Sequence, residues 1–145
     1  MRRLEFAHEF VEFVPSQLEE GKLYVSVEYA TAVHLCACGC GNKVVTPFSP
    51  AEWQLIYDGD SVSLHPSVGN WEFPCQSHYW VRRNQIRWAA QWSPRKIEAG
   101  RQSDAADLAR FHASRSETFG ADEHQTKPVR GSIFACARRL LRISP

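Results

Sequence analysis

The chain carries almost no surplus charge: 17 Lys and Arg face 16 Asp and Glu across 145 residues, a formal net of +1. So close a balance removes any general argument for a nucleic acid, a membrane surface or a strongly acidic partner. Long apolar runs are missing too. No stretch approaches the roughly 18 apolar residues that a spanning helix needs, so no membrane span is expected. Behind Met1-Arg2-Arg3, the residues Glu5, His8 and Glu9 interrupt the apolar run that a secretion signal requires. The expectation is a soluble, cytoplasmic protein. An even set of cysteines is also lacking. There are five, Cys36, Cys38, Cys40, Cys75 and Cys136, and an odd count without a secretion signal argues against a disulfide framework. There is no internal repeat.

The rest of the composition suits one globular domain. The apolar share is 43%, and five Trp, eight Phe and four Tyr supply large side chains for a core. Charge is uneven in one place. From Val129 to Pro145 there are four Arg (Arg130, Arg138, Arg139, Arg142) and no acid, a basic patch that reads as a solvated helix face.

Periodicity points to a mostly β, small α+β fold of antiparallel hairpins around one metal site, with a helical C-terminal appendage. Residues 4–14 read as a strand, and residues 22–34 alternate as a single strand. Lys43 to Phe48 forms the next strand. Asp58-Gly59-Asp60 marks a hairpin turn between Trp53–Tyr57 and Ser61–His65. Residues 66–70 read as a loop, and Arg83-Asn84 as the turn of a further hairpin. An amphipathic helix is expected over 102–114 with Ser103 as its cap, polar loop over 114–131, and a short helix over 133–143. The division is a zinc-binding β domain over 1–93 and an extension over 94–145, helical or partly disordered.

Three cysteines fall within five residues, in Cys36-Ala37-Cys38-Gly39-Cys40-Gly41. A fourth opens Cys75-Gln76-Ser77-His78. Thiolates are soft ligands suited to zinc, and structural zinc sites draw their ligands from two tight turns. Strand residues two apart point the same way but sit about 6.6 Å apart, so three thiols converge only if the backbone bends. Gly39 and Gly41 supply that freedom. Five groups, the four cysteines and His78, compete for four positions, with His34 in reserve. The alternative is three small buried hydrophobes in a core turn. Cys136 reads as a packing residue.

A second constellation lies beside the first. Pro66-Ser67-Val68-Gly69-Asn70 is built to expose one hydroxyl and several backbone N–H groups. A serine nucleophile needs a base within hydrogen-bond reach and preorganised donors for an oxyanion. His78 is the candidate base. Asn70 is a candidate to orient a ring or polarise a carbonyl, and Trp71 and Trp80 are candidates for an apolar wall or a docking surface. On residue types alone the segment reads first as a good turn that Ser67 caps, and only second as a nucleophile loop.

The runs CACGCG, TPFSPAEWQL, SLHPSVGNW and PCQSHYWV, spanning about residues 22–90, resemble a family of small bacterial proteins known as a domain of unknown function, number 6527 of its series. Ala37 stands where that family usually has Pro. The resemblance implies a zinc-binding protein encoded beside bacterial ubiquitin-like proteins and E1- and E2-like conjugating enzymes, in systems linked to phage defence. It further implies a serine-type peptidase that matures or removes the ubiquitin-like modifier. Carried onto this chain, Cys36, Cys38, Cys40 and Cys75 hold the Zn2+, and Ser67 and His78 form the catalytic pair. The alternative function is a non-catalytic, zinc-stabilised module that binds the modifier or its conjugating enzymes.

Overall fold

The computed structural model describes residues 1–122. Eight strands precede one helix: β1 (Ala7–Phe10), β2 (Lys22–Ser26), β3 (Thr31–Leu35), β4 (Lys43–Pro47), β5 (Gln54–Tyr57), β6 (Val62–Gly69), β7 (His78–Arg82), β8 (Gln85–Trp88) and α1 (Pro94–Asp122). They form two four-stranded sheets, β1-β2-β3-β4 and β5-β6-β7-β8. Every pairing is antiparallel except β1 with β2, which run parallel. The fold is mostly β, as the alternation indicates.

The inner faces of both sheets share one core. Leu23, Val25, Ala32 and Val44 of the first sheet meet Val62, Leu64, Tyr79, Val81 and Ile86 of the second. Burying each large apolar side chain contributes about 1.5–3 kcal/mol, which is what holds two small sheets together. The N-terminal segment stitches the sheets along one side. Arg3 N–H donates to Ala37 O, Ile86 N–H to Leu4 O, and Phe6 N–H to Asn84 O. A buried polar link also crosses the core, where His34 Nε2 and Tyr79 Oη lie 2.8 Å apart.

Several local expectations need correction. Residues 22–34 are two strands, because the chain reverses at Val27–Ala30. Ala30 takes a positive φ of 45°, and Val27 and Tyr29 are left exposed at the turn. The loop expected over 66–70 is largely strand, since β6 continues to Gly69. The helix begins at Pro94 and reaches Asp122, so Ser103 is interior and not a cap, and the polar stretch from 114 continues as helix. Ser93 provides the start, its carbonyl accepting from Lys96 and Ile97 N–H. No helix among the described residues is long and apolar enough to cross a membrane. The helix expected over 133–143, Cys136 and the basic tail lie outside the described residues.

The β7–β8 hairpin matches its sequence signal. Arg83 and Asn84 both take positive φ, 48° and 64°, the pair that a two-residue primed turn requires. Asn84 does more than turn. Its Oδ1 accepts from Val62 N–H at 3.0 Å and lies 3.1 Å from His8 Nδ1, joining the turn to β6 and β1. Replacing Asn84 by Ala leaves the Val62 N–H without that acceptor and puts in the left-handed region a residue that tolerates it less well than Asn. We expect a loss of about 1–3 kcal/mol in urea unfolding, with Asn84→Asp closer to wild type.

Candidate active site and metal centre

Two turns bring the cysteines together. Cys36 follows the end of β3, and the chain then bends through Gly39 and Gly41, at φ 85° and 77°. Cys75 comes from the loop before β7. The four sulfurs of Cys36, Cys38, Cys40 and Cys75 all lie within 4.8 Å of one another. Cys36 Sγ is 3.4 Å from Cys38 Sγ and 3.9 Å from Cys75 Sγ, and Cys40 Sγ is 3.7 Å from Cys75 Sγ. A tetrahedral ion with bonds near 2.3 Å separates its sulfurs by about 3.8 Å, so the donor set fits a metal such as zinc.

The charges agree with that fit. Burial pushes the Cys36 thiol up and the Cys38 thiol well above its ordinary range. Cys40, against the upward push of its own burial, is drawn down to about 7 by the Asn42 backbone and by neighbouring side chains. Four such groups do not ionise together in a small volume unaided, whereas a divalent cation deprotonates coordinating thiols.

Of the five candidate ligands, the fold gathers the four cysteines into one cluster. Neither His78 nor His34 belongs to the cluster. His34 is fully buried beside Tyr79, where burial lowers its pKa to about 3. Asn70 also departs from expectation. Its side chain points inward and donates to Ser77 Oγ at 2.9 Å, and Ser77 Oγ lies 3.0 Å from Cys36 Sγ. Its own N–H donates to Ser77 O, so it is not free for an oxyanion. Asn70 therefore braces the cysteine loop, its side chain directed to Cys36, Ser77 and Tyr79.

Ser67 and His78 do meet. His78 Nε2 lies 2.9 Å from Ser67 Oγ. The pairing of β6 with β7 explains the contact. Leu64 faces Val81 and Val68 faces Tyr79, so three residues of β6 oppose Trp80 alone. Bulges of this kind re-aim side chains and are over-represented beside active sites. Here the bulge presents Ser67 on the outer face of the sheet, the face shared by His78, Trp80 and Arg82.

Aromatic rings surround the imidazole. Trp71 lies 4.9 Å from His78 between ring centres, Trp80 5.5 Å and Trp92 4.9 Å. Trp71 and Trp92 stack on each other at 5.2 Å, and Lys96 sits 4.5 Å above the Trp92 ring. Gly69 makes this possible, because a Cβ there would come within 2.5 Å of the Trp71 indole. Burial lowers the His78 pKa. The backbone of Ala90 opposes the shift, and the Lys96 charge adds to it. Among the described residues no carboxylate is hydrogen-bonded to the ring, and Nδ1 is buried without a hydrogen-bond partner.

A family model described as bacterial ubiquitination-like system serine protease (BubE) matches residues 10–89. The chain belongs to the BubE family. No curated protein and no solved structure matches it. The matched BubE segment contains the four clustered cysteines, Ser67, His78, Trp71 and Trp80, and it ends before Trp92. Trp92 escaped the sequence reading because nothing local marks a residue between a hairpin and a helix as part of a site. Only the return of the chain across β7 reveals it.

Trp92→Ala should open the imidazole to water and move the His78 pKa up toward the ordinary value of about 6.5, while Trp92→Phe should hold it down. Titration of the His78 ring signals by NMR checks this, and an unchanged value in the alanine variant contradicts the shielding role.

Proposed function

We propose that the chain is a serine-type peptidase acting on a bacterial ubiquitin-like protein, in precursor maturation or deconjugation, with a structural zinc. The single observation that carries the proposal is the 2.9 Å contact between Ser67 Oγ and His78 Nε2. The family description supports the class of chemistry and makes a ubiquitin-like protein the natural substrate.

In this reading Ser67 attacks the carbonyl at the end of the modifier's tail. His78 accepts the hydroxyl proton at Nε2 and later delivers it to the leaving amine. For Nε2 to accept, Nδ1 must carry the hydrogen. The lowered pKa keeps the ring neutral near pH 7, which is the state a base needs. The three tryptophans limit water around the dyad, which strengthens electrostatic interactions there. Cys36, Cys38, Cys40 and Cys75 would hold a zinc that cross-links the two turns, and four thiolate ligands suit a structural rather than a catalytic ion. Its role is to hold Cys75, and so the segment that leads into His78.

A second reading, a zinc-stabilised binding module without chemistry, draws on the missing carboxylate and on the aromatic surface formed by Trp71, Trp80 and Trp92. The two readings separate on one substitution. Ser67→Ala should lower cleavage of a ubiquitin-like precursor by about a thousandfold or more while leaving thermal unfolding unchanged. A wild type that binds the precursor without cleaving it, and a Ser67→Ala variant that binds it equally well, favour the binding module, and undiminished cleavage by Ser67→Ala contradicts Ser67 as the nucleophile. In the wild type, kcat/KM should rise with pH through one ionisation below about 6.5 and then level off, because the base must be neutral and its pKa is depressed. A rise centred above that value contradicts the assignment of His78.

A further inference from the structure

The outer face of the β5-β6-β7-β8 sheet continues past the dyad into an open cleft. Ile56 of β5, Ser63 and His65 of β6, Arg82 of β7 and Arg87 of β8 line it, with Arg83 from the hairpin turn, around a volume of about 660 Å³. Three arginines and no carboxylate form this lining. Arg82 and Arg87 are exposed and make no ion pair among the described residues, and Arg83 reaches Asp58 only at 3.9 Å. Ile56, more than half exposed, gives the cleft an apolar floor. A cationic face concentrated on one side of a chain with a net charge of +1 is a local feature, not a consequence of composition.

The cleft and the dyad are parts of one surface. His78, Trp80 and Arg82 alternate on the same side of β7, and Trp80 pairs with Arg87 across the hairpin. His65 stands two residues before Ser67 on β6. Four residues of strand separate His78 from Arg82, about 13 Å at 3.3 Å per residue. A substrate seated on the arginines with its scissile carbonyl at Ser67 must cross that span with about four residues of extended chain.

We propose that this arginine cleft is the docking site for an acidic face, with an apolar centre, on the folded body of the protein substrate, whose extended tail then runs past Trp80 to Ser67. The proposal rests on the peptidase reading and names what the substrate must carry besides its tail. Complementary charge of this kind sets encounter rate and partner choice, and its reversal weakens binding. Arginine is suited to the task because its planar fork pairs two carboxylate oxygens at once.

The test uses the full chain and two probes: the ubiquitin-like protein of the same conjugation system with a fluorescent protein fused to its C-terminus, and a short peptide of its last four residues carrying a fluorogenic amide. Arg82→Glu/Arg87→Glu should raise KM for the protein probe by about tenfold or more, with kcat and peptide cleavage unchanged. The Kd of the protein probe, measured in a Ser67→Ala background, should weaken by the same factor. Arg82→Gln/Arg87→Gln should give a smaller change in the same direction, and added salt should weaken wild-type binding of the protein probe. Equal loss on both probes, or an unchanged Kd, overturns the docking site. Failure of the peptidase reading is distinct, because wild type and Ser67→Ala would then behave alike in turnover while the Kd comparison still decides the cleft.

Discussion

Four sulfurs from two turns, one after β3 and one before β7, come within 4.8 Å of one another, and the geometry of the site follows from that meeting. Cys36, Cys38 and Cys40 belong to the first sheet's hairpin. Cys75 belongs to the loop that leads into the second sheet, three residues before His78. A cation shared among these thiols would close a loop of chain and fix the entry to β7. It would also give the buried polar groups around it their purpose. Asn70, Ser77, Tyr79 and His34 connect in sequence from the cysteines into the core, and Ser77 and Asn70 contact Cys36 directly. Groups that hydrogen-bond a metal's ligands orient them and tune their basicity.

The dyad depends on a second constraint that the cluster alone does not provide. Ser67 reaches His78 because β6 carries extra residues opposite Trp80, while β7 keeps a regular alternation. The serine is mounted on an irregular strand beside a regular one, with the apolar core directly beneath both. A site built on strands in this way is more firmly held than one on a free loop. The tryptophans then complete it from three directions, two from within the matched family segment and one from the start of the helix.

Much of this was legible in the residues because local chemistry dictated it. Three cysteines in five residues, with one glycine between the last two and another directly after them, have few uses other than metal binding. Arg83-Asn84 and Asp58-Gly59-Asp60 are turns wherever they occur between alternating segments. What escaped was set by distant partners. The reversal at Val27–Ala30 has no glycine or proline to announce it. The parallel pairing of β1 with β2 is decided by the long connection from residue 11 to 21. Pro66 and Gly69 read as loop, yet the sheet tolerates both at a bulge. The helix start moved from 102 to 94 because Ser93-Pro94 is an adequate cap and first turn without an apolar periodicity to mark it. Asn70 looked like a catalytic amide because a buried brace and a catalytic group require the same residue type.

The central claim is that a bound metal sets the position of His78 against Ser67. The most direct measurement follows both in one sample: metal content by elemental analysis, and the labelling rate of Ser67 by a fluorophosphonate, as the metal is stripped by a chelator and returned. The account predicts one metal ion per chain, loss of labelling in proportion to metal lost, and recovery on adding one equivalent of zinc. Full labelling of a folded, metal-free chain would contradict it.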